Sequence, residues 1–224
     1  TCDWSSDVCS SDLSFSVSET TEGVHIHIID AELMGKGEKE KKDLYIEGVQ
    51  NNGIINHYEY IINSEGTIEI RHVLKPEGKM PLWFPRIGLT LTVSDALDQV
   101  KWYGRGPQEN YPDRKTGYPT GIYASTVQAM YEPYLMPQDY GLRTDVRWLQ
   151  LTTDKGIGLQ FKMNEWFNFN IYPYSTDNLT KAMYTYQLQK QKGMTLNLDY
   201  ATTGVGCTAR GVFGAYKAMP QEYR

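Results

Sequence analysis

The densest group of side chains that could carry chemistry lies in residues 102–114, which read WYGRGPQENYPDR. In this run, Glu109 and Asp113 could act as a general acid and a general base. The alternative is structural, because an arginine can hold a carboxylate through two parallel charge-assisted hydrogen bonds. We favour the structural role, in which Arg105 and Arg114 clamp the two carboxylates and hold the loop rigid.

A second candidate is the pair His25 and His27, which lie two positions apart on a predicted strand and therefore share one face. Two imidazoles could begin a metal site, but the sequence offers no evident third ligand. We interpret them as exposed strand histidines and assign no metal ligand. Neither a nucleophile elbow, a phosphate-binding loop nor a dinucleotide-binding glycine pattern occurs.

The amino-acid composition indicates which classes of binding partner this chain can have. The net charge of −5 and the pI of about 5.4 argue against nucleic acid, which requires a basic stripe. Because no apolar run approaches the roughly 20 residues of a bilayer span, no membrane partner is expected. The 17 tyrosines and 5 tryptophans suit pleated sheets, and their flat faces with a polar edge also suit sugar contact. For any single one of them, we favour a sheet or core role.

The N-terminal residues 1–13, TCDWSSDVCSSDL, show no periodicity and lack the basic start and apolar middle of a signal peptide. They are similar to a translated sequencing adapter, so we expect a non-native or disordered leader. Two of the three cysteines, Cys2 and Cys9, lie here, and the third is Cys207. This spacing is neither a disulfide framework nor a zinc pattern, and indicates a reducing compartment or indifference to redox state.

Alternation of apolar and polar residues predicts strands along the remaining chain, which we treat as one domain over residues 14–224. The predicted strands are 14–18, 24–28, 44–49, 54–62, 67–74, 86–93, 97–103, 146–152, 158–163, 167–172, 184–189 and 195–199. Residues 35–42 read as a solvated charged tip, and the proline-rich stretch 107–138 is predicted to be irregular, made of loops and edge segments. Ser175 and Asp177 could cap a short helical turn that ends at Lys181. Many short strands with frequent turns predict an all-β, antiparallel β-sandwich.

The run GRGPQENYPDR resembles the signature of the C-terminal domain, of the small-chain or domain 5 type, of glycoside hydrolase family 2 β-galactosidases. Three further matches follow in order: YEPY and PQDYGLR within residues 131–143, DVRW at 145–148, and LNLD with GVG within 196–206. The resemblance covers roughly residue 15 to the end. It marks a signature loop, residues 105–114, with Arg105, Gly106, Pro107, Gln108, Glu109, Asn110, Tyr111, Asp113 and Arg114. It also marks a second segment with Tyr134, Arg143, Asp145 and Arg147.

The resemblance implies a large sandwich of the galactose mutarotase-like supersandwich kind, truncated at both ends. It implies a parent enzyme that hydrolyses terminal β-D-galactosides with retention, using two glutamates on a (β/α)₈ barrel. No such barrel occurs in this chain, so we assign no catalytic residue and expect the isolated chain to be inactive. The implied partners are a β-galactoside or related carbohydrate, the enzyme's own barrel, and further copies in a homo-oligomer. No cofactor is assigned to this chain, whereas Mg²⁺ or Na⁺ can serve other domains of the parent. The location stays open between cytoplasm and periplasm of a bacterial parent.

The sequence departs from the family at the substrate-adjacent loop, where the resemblance implies a sugar-stacking tryptophan before LNLD. Here Thr195 stands at that position and Met194 precedes it. Met194, or Trp166 from another loop, is the candidate replacement. Two other functions remain open: a mutarotase-type epimerase and a carbohydrate-binding module. Epimerase chemistry needs histidine acids, but His25, His27, His57 and His72 all precede the recognisable loops.

Overall fold

The computed structural model describes residues 2–3, 8–34, 53–78, 80–206, 212 and 214–223. Its strands are β1 (Cys2–Asp3), β2 (Val8–Thr20), β3 (Gly23–Met34), β4 (Gly53–Ile62), β5 (Ile68–Glu77), β6 (Arg86–Val93), β7 (Gln99–Arg105), β8 (Thr120–Thr126), β9 (Arg143–Thr152), β10 (Gly158–Tyr172) and β11 (Met194–Thr202). They form two antiparallel sheets, and neither closes into a barrel within the described part of the chain. The predicted all-β class is confirmed, and its open antiparallel sheets are those of a β-sandwich.

The chain divides into two compact units, Thr1–Trp83 with Met219–Arg224, and Phe84–Ala218. Both lie largely within the stretch that the sequence analysis treats as one domain. Among the residues that the structure describes, no helix is long and apolar enough to cross a membrane.

The first unit holds a sheet in which β1 to β5 follow one another in chain order. The predicted hairpin of β4 and β5 is confirmed, and the Asn63 side chain closes its turn by accepting the backbone N–H groups of Glu65 and Thr67 at 3.0 Å each. Strand β2 begins at Val8 and pairs with β3, so residues 8–13 of the predicted leader lie in a strand. The charged tip at 35–42 and the predicted strand at 44–49 lie outside the described residues.

The second unit holds a six-stranded sheet in the order β6-β11-β10-β9-β7-β8. Because side chains alternate across a strand, β10 and β11 each present one apolar and one polar face. The apolar face forms a core in which Phe167, Phe169, Leu196 and Leu198 are at most 4% exposed. Removing such an aromatic side chain typically costs about 3–5 kcal/mol of stability.

Strand β8 lies at the edge of the sheet, directly after Pro119, within the proline-rich stretch for which loops and edge segments are predicted. Two other element predictions for the second unit are corrected. The two strands predicted at 158–163 and 167–172 form one continuous strand, β10. The sequence pattern is interrupted because a bulge between Lys162 and Phe167 shifts the alternation of side chains.

The predicted strand at 184–189 is instead a 3₁₀ turn at Thr185–Gln187. The Gln187 side chain closes this turn by accepting the backbone N–H groups of Met183 and Tyr184 at 2.7 and 3.1 Å. The predicted short helical turn is confirmed as α1 (Thr176–Lys181). Ser175 caps it by accepting the Asn178 N–H at 3.0 Å.

Candidate functional site

The signature loop leaves the end of β7 through a tightly packed glycine. A Cβ added at Gly106 would lie 2.8 Å from Cδ2 of Tyr123 and 3.0 Å from Cζ2 of Trp102, so a larger residue would have to displace the Tyr123 ring. The fully buried Trp102 donates its indole N–H to the Arg105 carbonyl at 3.0 Å. The Gly106–Pro107 peptide bond that follows is cis. The strand end and its core tryptophan thereby fix where the loop begins.

Glu109 is the central acid of the loop and is 5% exposed. Its Oε1 accepts hydrogen bonds from Arg114 at 2.7 Å and from the Tyr134 hydroxyl, and its Oε2 accepts the Gly141 N–H at 2.9 Å and the Tyr111 hydroxyl at 3.2 Å. Burial alone would raise the pKa of this carboxyl, but the four donors outweigh burial and hold the pKa below its usual value. Glu109 is therefore an ionised structural anchor.

Asp113 holds a different part of the chain. Its two carboxylate oxygens accept the backbone N–H groups of Val205 at 3.1 Å and Gly206 at 2.7 Å. The GVG segment thus packs directly on the signature loop, and a Cβ added at Gly204 would lie 2.4 Å from Cγ of Asp113. The sequence predicts that Arg105 and Arg114 clamp Glu109 and Asp113. The structure places Arg114 on Glu109, and backbone amides on Asp113.

Arg105 instead pairs with Asp145 of the second segment. Its Nε donates to Asp145 Oδ2 at 2.5 Å, and Lys115 donates to Oδ1 at 2.7 Å. Burial opposes ionisation of Asp145, but these two cations hold its pKa below the ordinary value. Asp145 has a φ of 55°, in the left-handed region that non-glycine residues seldom adopt, so its contacts also maintain a strained backbone.

Asn110 and Arg143 join the signature loop to the start of β9. Asn110 is fully buried, and its Oδ1 accepts the N–H of Thr144 at 3.1 Å and the Thr144 hydroxyl at 2.5 Å. Arg143, 3% exposed, donates to the carbonyls of Pro107 at 3.0 Å and Gly141 at 2.9 Å, and its guanidinium lies over the Trp102 ring. Burial lowers the pKa of Arg143 to about 10.

Arg147 forms a surface stack with aromatic rings. Its guanidinium carbon lies 4.1 Å from the Trp166 ring centre and 4.9 Å from that of Tyr103. Trp166 remains 60% exposed. The sequence analysis expected Trp166 on a loop, whereas it lies within β10. This stack is a cation–π arrangement with an open aromatic surface.

Met194 and Thr195, for which a loop beside the substrate is predicted, lie in strand β11 and not in a loop. Met194 is 3% exposed and packs in the apolar core. The Thr195 hydroxyl donates to the Tyr174 carbonyl at 2.7 Å and accepts from Gln191 at 2.9 Å. Neither side chain is available to replace a stacking aromatic ring within the second unit.

Gln108 and Arg114 are the two exposed polar residues of the signature loop. The Gln108 carbonyl accepts the Asn110 side-chain N–H at 3.1 Å, and Arg114 is held by its ion pair with Glu109. The other polar side chains of the loop are buried or partly buried. The structure therefore brings the signature loop, the second segment and the GVG segment into one hydrogen-bonded assembly.

A buried polar network across β6, β11 and β10 was not found from the sequence. Arg86 donates to Asp199 Oδ2 at 3.0 Å and to Asn170 Oδ1 at 3.3 Å, and Asn197 donates to Asn170 Oδ1 at 2.8 Å. Burial raises the pKa of Asp199 to about 7, against the opposing effect of Arg86. The alternation of Asn197 and Asp199 with Leu196 and Leu198 was the available signal.

Comparison with known proteins gives one consistent result. A family model described as "Beta galactosidase small chain" matches residues 10–224. A β-galactosidase of Priestia megaterium is 38% identical over 147 residues, which are 66% of this chain and 14% of that protein. A β-galactosidase of Vibrio cholerae is 39% identical over 122 residues (54% and 11%), and one of Pseudoalteromonas haloplanktis is 34% identical over 148 (66% and 14%). The chain thus spans only a small part of the length of these relatives.

Proposed function

Because the chain belongs to the β-galactosidase small-chain family, we propose that it is the C-terminal domain of a retaining β-galactosidase of glycoside hydrolase family 2. In this proposal it has a galactose mutarotase-like fold, supports the catalytic (β/α)₈ barrel and shapes the substrate entrance. The substrate of the whole enzyme is a terminal β-D-galactoside. The two catalytic carboxylates belong to the barrel.

The observation that carries this proposal is that three acids, Glu109, Asp113 and Asp145, are held by fixed donors. A general acid must carry a proton near neutral pH, and a nucleophile must be free to approach the sugar. Glu109 has four donors and a lowered pKa, Asp113 holds two backbone amides, and Asp145 is held by two cations. These acids are suited to building a rigid scaffold and poorly suited to cleaving a glycosidic bond.

The test is a chimera with one of the relatives. The segment of the Priestia megaterium β-galactosidase that matches this chain is replaced by the matching segment of this chain. We expect the isolated chain not to hydrolyse o-nitrophenyl β-D-galactoside, and the folded chimera to hydrolyse it. A folded, oligomerised chimera without activity would contradict the scaffold proposal.

A substitution at Glu109 distinguishes a structural role of this acid from a catalytic one. Glu109→Gln in the chimera is expected to lower the thermal midpoint while kcat/KM per folded molecule stays within about threefold. Loss of an acid or base that takes part in the reaction would lower kcat by roughly 10²–10⁴. A loss of that size with the fold retained would refute the proposal. Asp154→Asn, the same chemical change at an exposed turn residue, is the matched control.

A second candidate function, carbohydrate contact by this chain itself, is favoured by exposed aromatic rings. Tyr184 and Tyr186 stack at 5.4 Å with an interplanar angle of 8°, and are 56% and 80% exposed. Trp166 is 60% exposed beside Arg147. Flat, exposed rings with polar edges are suited to packing on the apolar face of a sugar ring.

Titration of the isolated chain with galactose and lactose, followed by tryptophan fluorescence and by tyrosine NMR signals, tests this candidate. Millimolar or tighter binding that Trp166→Ala or Tyr186→Ala weakens would support it. Ile122→Ala, another exposed apolar side chain, is the control and should leave affinity unchanged. Unchanged spectra up to 100 millimolar sugar would exclude such a site in the isolated chain.

A further inference from the structure

The sheet of the first unit brings two imidazoles and a carboxylate together on one face. His25 and His27 alternate along β3, and the register pairs His27 with Glu59 on β4. On the other side, β2 places only the short side chains of Ser18 and Ser16 opposite the two histidines. The sequence analysis found no third ligand because Glu59 lies on the next strand, beyond a long connection.

The ligand atoms of these three residues all lie within 4.8 Å of one another. Nδ1 of His25 lies 3.5 Å from Glu59 Oε1, and Nε2 of His27 lies 3.8 Å from the same oxygen. The side chains are 13%, 50% and 24% exposed for His25, His27 and Glu59, so the cluster is partly enclosed but reachable from solvent.

The surroundings leave the candidate ligand atoms facing one another. Nδ1 is the ring nitrogen of His25 that lies against Glu59, while its Nε2 is buried without a hydrogen-bond partner among the described residues, so no protein group holds the ring from its other side. Arg71 donates to Glu59 Oε2 at 2.9 Å and to Glu69 at 2.8 Å. This leaves Oε1 of Glu59 turned toward both histidines, while Arg71 orients the carboxylate from behind.

We propose that His25, His27 and Glu59 bind a divalent transition-metal ion of the zinc class, with water completing the coordination. Two histidines and one carboxylate with an open position are a common zinc ligand set, and imidazole ligands favour such ions over Mg²⁺ or Ca²⁺. Bonds of about 2.0–2.1 Å in a tetrahedron require ligand atoms about 3.4 Å apart. Closing the widest separation therefore takes a shift of about 1.4 Å, which the half-exposed His27 side chain can make by rotation.

The bound ion would join neighbouring strands, because both histidines lie on β3 and the carboxylate lies on β4. Glu59 already shares its charge with Arg71, so a cation is held by direct ligation more than by long-range attraction. This proposal concerns the first unit and does not depend on the proposed glycosidase role.

The experiment is isothermal titration of Zn²⁺ into the untagged, chelator-treated full chain. All three cysteines are changed to serine in every protein, since thiolates compete for zinc: Cys2, Cys9 and Cys207. We expect one ion per chain, and at least tenfold weaker binding by His25→Gln and by Glu59→Gln. Glu65→Gln is the matched control, because it makes the same chemical change as Glu59→Gln in the exposed turn between β4 and β5, outside the three-residue cluster. Its affinity should equal that of the parent protein.

Imidazole ¹⁵N spectra of the parent protein keep the proposal testable if a variant fails to fold. Addition of one equivalent of Zn²⁺ should shift the ring nitrogens of His25 and His27 and leave in place those of His72, which lies on the opposite face of the sheet. Absence of binding to the folded parent would overturn the proposal and leave the cluster as a histidine–glutamate ion pair. Binding that neither His25→Gln nor Glu59→Gln weakens would overturn it as well.

Discussion

Replacement of Glu109 by glutamine tests most directly whether this acid is an anchor. The carboxylate has two acceptor oxygens, and each receives two donors. The amide retains one acceptor oxygen and presents an NH₂ group at the other position. One side of the site must therefore give up its hydrogen bonds, and the structure indicates which side.

The amide oxygen is expected to face Gly141 and Tyr111. In the opposite orientation, the NH₂ group would leave the buried Gly141 N–H without an acceptor, at a cost of roughly 1–3 kcal/mol. With NH₂ toward Arg114, the guanidinium can turn to water because its side chain is 49% exposed. Loss of this half-exposed ion pair costs about 1 kcal/mol. Weaker hydrogen bonds to a neutral acceptor cost about 1 kcal/mol more, which gives about 2 kcal/mol in total.

Truncation should cost more than replacement. Glu109→Ala removes both acceptors and leaves the Gly141 N–H and the Tyr111 hydroxyl buried without this partner, so we expect about 4 kcal/mol. In thermal unfolding of the isolated chain, the midpoint should be lowest for Glu109→Ala and higher for Glu109→Gln. It should be highest for Asp154→Asn and the wild type, which should melt together. The glutamine variant should melt about 6 °C below wild type. Equal midpoints for Glu109→Gln and Asp154→Asn would refute the anchor assignment.

The pH dependence gives a second check with a defined sign. The pKa of Glu109 is lowered in the folded chain, so its ionised form is stabilised by folding. This contribution is fully present above the unfolded pKa of about 4.3 and is lost as the pH falls below it toward the folded pKa. The stability difference between wild type and Glu109→Gln should therefore be constant near neutral pH and shrink below about pH 4. A difference that grows on acidification would contradict this reasoning.

Three further outcomes follow from local geometry. Gly204→Ala should destabilise the second unit by about 2–3 kcal/mol, because the new Cβ would displace the Asp113 carboxylate. Hydrogen exchange of the Gly206 amide should become faster, since this amide donates to Asp113, and an unchanged exchange rate would contradict the prediction. Burial lowers the pKa of His72 to about 4, so its NMR titration should have a midpoint near pH 4 and not 6.5. Stability of the first unit should accordingly fall, by up to about 3 kcal/mol, between pH 6.5 and 4, since the unfolded chain takes up that proton first. Ser175→Ala should cost α1 about 1 kcal/mol, measured by exchange of its first amides, whereas Ser175→Asp should retain them.

The fold could be predicted from the sequence where alternation is uninterrupted. Strand β6 was predicted with the observed bounds, Arg86–Val93, and the β4–β5 hairpin with its turn. The prediction failed where a β-bulge or a side-chain hydrogen bond interrupts the alternation of apolar and polar residues. The bulge in β10 shifts the alternation between Lys162 and Phe167, and the Gln187 side chain converts an apparent strand into a 3₁₀ turn.

The candidate site could be located from the sequence, but its pairing could not. From the composition of the loop, Arg105 is predicted to pair with one of the loop's two acids, whereas in the folded chain it pairs with Asp145. Likewise, the third member of the histidine cluster, Glu59, becomes a neighbour only when β3 and β4 are set in register. In both cases the missing information was the register between strands, which a single sequence does not encode locally.

The chemistry of an acid in such a motif is decided by donors that are distant in sequence. Glu109 receives the Gly141 amide from 32 positions away, and Asp113 receives the Val205 and Gly206 amides from 92 and 93 positions away. Backbone amides cannot be recognised as partners from residue type, because every non-proline residue carries one. A loop dense in carboxylates and arginines is therefore compatible with catalysis or with scaffolding until its backbone partners are known. Here those partners hold both carboxylates in place and keep the pKa of Glu109 below its usual value, and that favours the scaffold.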